Sequence, residues 1–507
     1  MITAKIGISL IAAPMHPGPP AETLMRSRLK LTCPAAAALL ALAMALSGCD
    51  GRPSPSSAAG ASASSGSSAQ ASATQGAPLQ DPPEVVSHDG LLRTRIIVER
   101  RKVDVAGRRL WALTYNDRYM PPTLRIRPGD RVELDLVNRV SPYTNLHVHG
   151  LHVSPSGNAD NVLLHVHAGE TFHYSYQFPK TLKPGTYWYH SHAHPISAPQ
   201  VAGGMAGVIV VDGLQQYLPP ALRHLTEHVI ALKDFQIEGD AVKTKGLHIG
   251  APTNRTVNGQ LNPTIPIRPG EVQLWRLANI SANIYYKVSL RGQRFLVIGR
   301  DGFPVDRTFA SDSLLLAAGS RYDVLVTGGQ AGSTVLETLP YSTGPAGNQF
   351  PQVNLATVVS SGTRVPPVTL PSAFAPPEDL SRLPIAVRRT IVFSENKAGT
   401  QFYINGKQFD PNRVDIRSKL NTVEEWTVRN DSNEEHSFHV HTNHFQLMSS
   451  NGPVHLTLSR QDVANVPAKG RIVIRIRFTN YTGKTVFHCH ILNHEDQGMM
   501  AIQQIDK

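Results

Sequence analysis

Three residues that could bind one metal ion lie close together near the C-terminus, in the run FHCHILNHEDQGMM. Cys489 offers a thiolate, His494 an imidazole and Met499 a weak thioether. With a second imidazole, these are the donors of a blue-copper electron-transfer site. The second imidazole must come from elsewhere, and His436 in the run HSFHVH is the candidate. The alternative is a buried free cysteine among hydrogen-bonded histidines, with no metal.

Cys489 is flanked by His488 and His490, and these two rings are suited to a different site. Successive side chains of an extended strand point to opposite faces, so both rings point away from a metal held by Cys489. Electrons that enter at Cys489 would have a short covalent path to them. The His-x-His pattern recurs, which disfavours the metal-free alternative; the further pairs are His147 with His149, His190 with His192, and His439 with His441.

The four pairs together supply eight imidazoles. Both rings of an i, i+2 pair reach the same face of a strand, so pairs from the two ends of the chain can meet at one interface. Eight imidazoles fit three coppers, shared as two, three and three, with open coordination positions for dioxygen. A fifth pair, His165 and His167, has no counterpart near the C-terminus, and we predict that it lies on the surface. We expect four other histidines to be surface or flanking residues: His152, His173, His194 and His444.

The first 48 residues have the features of an export signal. The basic stretch MRSRLK (Met25–Lys30) precedes an apolar run that ends at Leu46, so the true start is either Met1 or Met25. The sequence LSGC, ending at Cys49, resembles the bacterial lipobox, in which the cysteine carries a lipid. We therefore predict an exported, membrane-anchored lipoprotein of the cell envelope or periplasm. The alternatives are an ordinary cleaved signal and an uncleaved anchor.

The remaining chain is predicted to be all-β. It has 507 residues, a formal charge of +11 and no basic runs with interleaved aromatics, which argues against nucleic-acid recognition. Residues 49–83 are rich in Ser, Ala and Gly and are predicted to form a flexible linker. Beyond them, short β-branched or alternating segments separated by Gly, Pro and Asn favour sandwiches.

An internal repeat predicts three similar domains at 84–214, 226–362 and 385–507. Each copy has an Asn-Asp or Asn-Gly pair, at Asn116, Asn258 and Asn405, and a later strand that ends in Asn. A further element opens one strand in each copy, at Ala168, Ala318 and Ala468. A Pro-rich stretch, 365–377, is predicted to be a second linker.

The repeats differ in their potential for metal binding. YWYHSH in the first copy aligns with VFHCH in the third, which places Ser191 opposite Cys489. The first copy can therefore share a histidine site but cannot build a thiolate site. The middle copy has no His-x-His pair, and we interpret it as a spacer.

These motifs, in this order, resemble those of the three-domain multicopper oxidases, the laccase-like family built from cupredoxin domains. The resemblance covers residues 84 to the C-terminus and implies three cupredoxin-like Greek-key β-sandwiches with four coppers. It implies a type 1 copper held by His436, Cys489 and His494, with Met499 as the axial ligand. It also implies that His147 and His439 hold the type 2 copper; His149, His190 and His490 one type 3 copper; and His192, His441 and His488 the other.

The resemblance implies four one-electron oxidations of a reducing substrate coupled to reduction of dioxygen to water. Electrons would enter through an exposed edge of His494 or His436 and pass from Cys489 to His488 and His490. Proton-relay acids are expected, and Glu495 and Asp160 are the candidates; for both, the alternative is a solvated loop charge. Two departures from the family pattern, Val148 and Ser437, supply no donor atom and should affect packing only.

Three functions remain open at this point. The favoured substrates are phenols and aromatic amines. The alternative is cuprous ion in copper tolerance, but the five methionines beyond residue 48 form no Met-rich insert. A non-catalytic envelope scaffold is disfavoured because all twelve ligands are present, and a nitrite reductase would not need eight clustered histidines.

Overall fold

The computed structural model describes residues 76–507, which are strands almost throughout. The predicted leader, Cys49 and most of the predicted linker lie outside the described residues. Within the described part the strands form three consecutive pairs of sheets, and the prediction of an all-β chain of sandwiches is confirmed.

The first sandwich carries two of the histidine pairs. Its inner sheet has the spatial order Glu84–Val86, Thr123–Ile126, Ala206–Val211, Gly185–His190 and His147–His149. Its outer sheet has the order Ile237–Glu238, Ala241–Val242, Arg108–Tyr115, Leu91–Val105, Arg131–Asn138 and Thr171–Gln177. A small ribbon pairs Tyr143–Thr144 with Val166–His167.

The middle sandwich repeats the same plan without histidine pairs. One sheet has the order Asn254–Val257, Thr226–Phe235, Val272–Asn279, Arg321–Thr327, Phe295–Arg300 and Phe303–Ser311. The other has the order Thr264–Ile267, Val353–Ser360, Gly332–Leu339, Tyr286–Leu290 and Ser313–Leu316. A two-stranded ribbon joins Tyr341–Ser342 to Gln349–Phe350.

The third sandwich carries the remaining pairs and Cys489. One sheet has the order Phe402–Ile404, Val387–Glu395, Val423–Asn430, Arg471–Arg477, Phe445–Ser450 and Arg460–Gln461. The other has the order Ile416–Lys419, Met500–Asp506, Gly483–Cys489, His436–Val440 and Val463–Val466. In Arg471–Arg477 the apolar residues at alternate positions are buried and the intervening ones are not, as the period of two requires.

Helices are few and short in the described residues. Ser197–Gly203 and Leu492–Asp496 are α-helical, and Leu214–Tyr217, Pro220–Leu222 and Leu380–Arg382 are single 3₁₀ turns. The two α-helices belong to the first and third sandwiches, and Asp496 joins them by accepting hydrogen bonds from the backbone N–H groups of Ser197 and Ala198. Between residues 76 and 507 no helix combines the length and apolar character needed to cross a membrane.

The repeated Asn-Asp and Asn-Gly pairs have a common physical role. Asn116, Asn258 and Asn405 have left-handed φ values of 52°, 53° and 52°, a conformation that asparagine tolerates better than most residues. Each side-chain carbonyl accepts a hydrogen bond, at 2.8–2.9 Å, from a backbone N–H of an earlier strand that pairs with the one ending at the turn. The repeat is therefore a turn that the asparagine both permits and ties to its neighbour.

The asparagine that ends a strand in each repeat is a buried connector. The amide nitrogen of Asn279 donates to the carbonyls of Ile284, Leu316 and Ala317. Asn138 and Asn430 make equivalent bonds in the outer sandwiches. These carbonyls lie in loops or at the ends of strands, so the amide satisfies backbone groups that burial would otherwise leave unpaired.

Two segments depart from the predicted boundaries between the linker and the domains. Residues 76–83, predicted to belong to the flexible linker, lie along the middle sandwich: the N–H of Leu79 donates to Thr264, and Asp81 bonds His228. The linker prediction was wrong for these residues because the edge strand Thr264–Ile267 offers unpaired backbone groups. Likewise the hairpin at 237–242, within the predicted middle domain, extends the outer sheet of the first sandwich.

The Pro-rich stretch 365–377 also contacts the middle sandwich. The N–H of Thr308 donates to the carbonyl of Ser372, and the N–H of Phe374 donates to that of Asp306. Leu370 and Phe374 pack against the buried cluster that includes Leu274 and Ile298. This connection between the second and third sandwiches is therefore fixed by side-chain packing.

We predict that Asn279→Ala lowers the free energy of unfolding by about 2–3 kcal/mol, because it leaves buried carbonyls without a donor. Thermal unfolding of the full chain measures this. Asn412→Ala is the control, since Asn412 is exposed and its replacement should change stability by less than about 0.5 kcal/mol. Equal effects of the two substitutions would contradict the connector role.

Candidate copper centres

The residues predicted to hold a single copper meet inside the third sandwich. His436 begins a strand, Cys489 ends the neighbouring strand, and His494 lies in the helix that follows. The Sγ of Cys489 lies 3.6 Å from Nδ1 of His436 and 3.9 Å from Nδ1 of His494, and these two nitrogens are 3.2 Å apart. Met499 is fully buried, and its backbone bonds both Cys489 and His494. Three donor atoms therefore converge on one buried point.

The orientation of both rings is set by the groups around them. Nε2 of His436 lies 2.8 Å from the hydroxyl of Ser432, which leaves Nδ1 facing the sulfur. Phe402 stacks on His494 with ring centroids 3.9 Å apart. Burial lowers the pKa of His436 to about 3 and raises the pKa of the Cys489 thiol well above its ordinary value. Neutral imidazoles beside a buried sulfur suit a soft cation, which would stabilise the thiolate.

The eight paired histidines form one buried cluster where the first and third sandwiches meet. Each of the eight rings is no more than 2% exposed. Their ring nitrogens form three groups, each with all ligand atoms within 4.8 Å, and the first two groups share His149: His147, His149 and His439; His149, His190 and His490; and His192, His441 and His488. The second and third groups contain the same residues that the family resemblance implies for the two type 3 coppers.

The cluster contains nitrogen atoms that a cation would satisfy. Nδ1 of His147 bonds Asp160, Nδ1 of His190 bonds the Ser191 carbonyl, and Nδ1 of His439 bonds the Asp462 carbonyl. Since Nδ1 donates in each ring, Nε2 carries a lone pair. All three Nε2 atoms are buried without a hydrogen-bond partner. Unpaired lone pairs are costly in a protein interior, and metal coordination removes that cost, so this donor set fits copper.

Other rings of the cluster face each other directly. Nε2 of His488 lies 3.1 Å from Nε2 of His192 and 3.0 Å from Nε2 of His441. Nε2 of His490 lies 3.2 Å from Nδ1 of His149. Two of these three contacts, His192 with His488 and His149 with His490, join the first sandwich to the third, so the site exists only when these two sandwiches are docked.

Both predicted proton-relay acids are buried at the cluster, and the solvated-loop alternative is wrong for each. Asp160 is 2% exposed and bonds His147, and Glu495 is fully buried. Glu495 Oε1 lies 3.5 Å from His192 Nδ1, and its Oε2 lies 3.6 Å from His488 Nδ1. Burial raises the pKa of Asp160 to about 8. Burial and the adjacent Asp496 raise the pKa of Glu495 well above its ordinary value.

A third acid at the cluster escaped the sequence reasoning. Asp462 is 1% exposed, and its Oδ1 lies 2.9 Å from Nε2 of His149. Burial alone would raise the pKa of Asp462, but ion pairing with Arg321 more than offsets this and holds it well below its usual range. Asp462 directly precedes the buried strand Val463–Val466, which pairs with the strand of His439. The position of Asp462 directly before this apolar strand was the one signal available in the sequence.

The middle sandwich, interpreted as a spacer, also contacts the cluster. Gly319 has a φ of 85°, and a Cβ there would lie 3.1 Å from the ring of His490. The hydroxyl of Ser437 donates to the carbonyl of Ala318. All three sandwiches therefore surround the cluster.

Of the other histidines among residues 76–507, none belongs to the three groups above. His165, His167 and His173 are exposed, as predicted. His152 and His444 connect the first and third sandwiches instead: His152 Nδ1 bonds the Thr442 carbonyl, and His444 Nε2 bonds the Gly150 carbonyl.

The expected exposed edge for electron entry is absent at both ligands of the thiolate site. His436 is fully buried and His494 is 3% exposed. His494 does line a surface cavity of about 840 Å³, together with Phe402, Glu434 and Glu395. Of the two histidine ligands of the thiolate site, His494 is therefore the one that borders this cavity.

Comparison with known proteins gives the family. A family model described as multicopper oxidase matches residues 97–216, a second matches 226–342 and a third matches 382–506. Together they span most of the chain. The chain therefore belongs to the multicopper oxidases, in the three-domain form built from cupredoxin-like sandwiches.

Individual relatives are distant in sequence but cover about four fifths of the chain. Multicopper oxidase mco of Staphylococcus aureus is 26% identical over 407 residues, which is 78% of this chain and 84% of that protein. A Campylobacter jejuni multicopper oxidase, described as a metallo-oxidase, matches with a TM-score of 0.74 and 26% identity over 85% of this chain and 96% of that one. A laccase-like oxidase, CueO of Ochrobactrum sp., is described as active on lignin model compounds. It matches with a TM-score of 0.73 and 26% identity, over 85% of this chain and 100% of that one.

We predict that the copper-free protein loses stability as the pH falls below about 6.5, the ordinary pKa of histidine. Burial and neighbouring rings depress the pKa of seven cluster histidines in the folded chain, so only the unfolded chain takes up protons there. Each such ring then removes about 1.4 kcal/mol of stability per pH unit. The rings are His147, His149, His190, His192, His441, His488 and His490.

Thermal unfolding between pH 7.5 and 5.5 tests this, with copper-loaded protein as the control, because bound metal opposes protonation of its ligands. An unchanged unfolding temperature of the copper-free protein across this range would contradict the prediction.

Proposed function

We propose that this multicopper oxidase takes single electrons from phenols and aromatic amines and reduces dioxygen to water with four coppers. The observation that supports this best is the tripeptide His488-Cys489-His490. Cys489 belongs to the thiolate site, whereas the rings on either side belong to the histidine cluster. One stretch of backbone thus joins an electron-accepting site to a site suited to dioxygen.

The copper ligands follow the assignment implied by the family. His436, Cys489, His494 and the axial Met499 would hold the type 1 copper. The eight cluster histidines would hold the other three, with His147 and His439 at the type 2 copper. Copper supplies one-electron chemistry at the first site and dioxygen binding and reduction at the second.

Electron transfer would use the backbone around Cys489. Both neighbouring histidines are bonded to it covalently, and Nδ1 of His488 also donates to the Cys489 carbonyl at 3.0 Å. Nδ1 of His488 is therefore engaged, and its Nε2 faces the cluster. The strand geometry that separates Cys489 from its neighbours keeps the two sites distinct while the path stays short.

Protons for water formation would come from Glu495 and Asp160. Oε1 of Glu495 accepts a hydrogen bond from Ser197, whereas Oε2 has no hydrogen-bond partner and lies 3.6 Å from His488 Nδ1. Both acids have raised pKa values, so each can hold a proton near neutral pH and release it inside the cluster.

The cavity above His494 supports small polar aromatic reductants. Phe402 presents a ring stacked on His494, and Glu434 Oε1 lies 3.5 Å from His494 Nε2. Glu395, Lys397 and further polar residues complete the lining, which offers hydrogen bonds to hydroxyl and amino groups. No methionine or cysteine lines this cavity among the described residues. Cuprous ion favours sulfur ligands, so this lining disfavours it.

A metal ion of harder character is the second candidate. The neighbouring carboxyl groups of Glu434 and Glu395 suit oxygen-preferring cations such as ferrous or manganous ion. The C. jejuni relative is described as a metallo-oxidase. A non-catalytic scaffold would not need twelve residues arranged as complete copper sites.

The sequence supports export and attachment to the cell envelope. We propose that Cys49 carries the lipid of a membrane-anchored lipoprotein, on the basis of the apolar run and the LSGC motif. Dioxygen and a small reducing substrate are the expected reaction partners.

We predict fast oxygen uptake by the copper-loaded full chain with a methoxylated phenol or an aromatic diamine, and slow uptake with cuprous ion. Cys489→Ser is the matched control: it removes the thiolate but keeps all eight cluster histidines, so uptake should fall to background with every reductant. Faster uptake with cuprous or ferrous ion would replace the phenol assignment with a metallo-oxidase, and a chain that binds no copper would refute the whole proposal.

We predict that Glu495→Gln slows dioxygen reduction by about 10²–10⁴-fold, the range expected for a proton donor, without changing the visible absorption of the type 1 copper. Turnover is measured at saturating reductant and dioxygen. Glu337→Gln is the control, because Glu337 is also buried but pairs with Arg291, away from the cluster. Unchanged turnover of Glu495→Gln would reject the proton-donor role.

A further inference from the structure

A short segment of the middle sandwich reaches the histidine cluster: the loop of residues 317–320 and Arg321, the first residue of the strand that follows. It belongs to the element that recurs in each repeat before a strand, here at Ala318. In the first and third repeats the corresponding residues, at Ala168 and Ala468, form a turn before a strand. In the middle repeat the Ala318 carbonyl bonds Ser437, Gly319 lies under His490, and Arg321 reaches Asp462 of the third sandwich.

The contact between Arg321 and Asp462 is bidentate and fully buried. Nη1 of Arg321 lies 2.8 Å from Oδ1 of Asp462, and Nη2 lies 2.6 Å from Oδ2. The Arg321 side chain is fully buried, and that of Asp462 is 1% exposed. Nε of Arg321 also donates to the Thr186 carbonyl of the first sandwich at 3.2 Å. One guanidinium thus connects all three sandwiches in a fixed geometry.

Asp462 in turn orients two rings of the cluster through hydrogen bonds. Its Oδ1 accepts from Nε2 of His149 at 2.9 Å, which fixes the tautomer and turns Nδ1 toward His490. Its backbone carbonyl accepts from Nδ1 of His439 at 2.9 Å, which turns the unpartnered Nε2 of His439 into the cluster. Outer partners of this kind orient metal ligands and set which nitrogen is available.

We propose that Arg321 is a positioning residue for the trinuclear site: by clamping Asp462 it fixes the rings of His149 and His439, so the middle sandwich determines whether the site assembles. The inference rests on the proposed copper chemistry. It gives the repeat without histidine ligands a specific part in copper binding, beyond spacing the outer two.

A second buried arginine offers a matched control. Arg276 is also fully buried on the neighbouring strand of the same sheet. It pairs with Asp323 at 3.0 Å and with Glu227 at 2.9 Å. In the described part of the chain it forms no hydrogen bond or ion pair with Asp462. Replacing either arginine by lysine keeps the charge and removes the bidentate geometry. Only Arg321→Lys should disturb the cluster.

The test is copper titration of the full-length wild type, Arg321→Lys and Arg276→Lys, followed by paramagnetic resonance of the type 2 copper and visible absorption of the type 1 copper. Arg321→Lys should raise the copper concentration for half-occupancy of the cluster about 10- to 100-fold and alter the type 2 signal. It should leave the type 1 absorption intact. Arg276→Lys should bind copper as the wild type does, even where its unfolding temperature falls.

Asp462→Asn provides an independent arm, because it breaks the same clamp from the other side. It should reproduce the type 2 change, and the double variant with Arg321→Lys should be no worse than the single ones, since both act through one contact. Should Arg321→Lys not fold, Asp462→Asn decides the question alone.

The outcomes separate this inference from the proposed function. Wild-type occupancy and signal in both Arg321→Lys and Asp462→Asn, or equal loss of cluster copper in Arg321→Lys and Arg276→Lys, would overturn the clamp while leaving the oxidase intact. A wild type that binds no copper would overturn both.

Discussion

The structure depends on the burial of eight imidazoles at the contact between two sandwiches. A buried nitrogen lone pair without a partner is costly, and three Nε2 atoms of the cluster are in this state. The protein tolerates this because Nδ1 of each of these three rings is held, by the Asp160 carboxyl group or by a backbone carbonyl. The rings therefore converge in fixed orientations, which is the preorganisation that a metal site requires.

The threefold repeat provides the rigid frame for this arrangement. Left-handed asparagines shape the same turn in every copy, and buried asparagines satisfy the loop carbonyls beside each sheet. Within this common fold, substitutions at single positions give each copy its own role in metal binding. The third copy has Cys489 where the first has Ser191, and Ser191 bonds Gln200 instead of a metal. The middle copy has no histidine pair, yet it contributes Arg321, which binds Asp462 beside the cluster.

The sequence was sufficient where chemistry depends on local spacing. Both rings of a His-x-His pair lie on one face of a strand, so the residues of the cluster could be predicted from their spacing. The residues of the thiolate site could be predicted from the motifs around Cys489 and His436, and the sandwiches from strand periodicity. It was insufficient where burial depends on distant packing. The solvation of Asp160 and Glu495, the contact of Asp462 with Arg321 and the closure over His436 all arise when segments far apart in the chain meet. The ordering of residues 76–83 against Thr264 has the same origin, because composition does not reveal an available sheet edge.

The path of the chain at residues 76–83 has a mechanical consequence. These residues are fastened to the middle sandwich through Thr264 and His228, and only afterwards does the chain enter the first sandwich. Tension applied from the N-terminal side is therefore borne by that attachment before it reaches the strand at Glu84–Val86. The seam between the outer sandwiches, where the histidines meet, is thus shielded from strain transmitted along any tether.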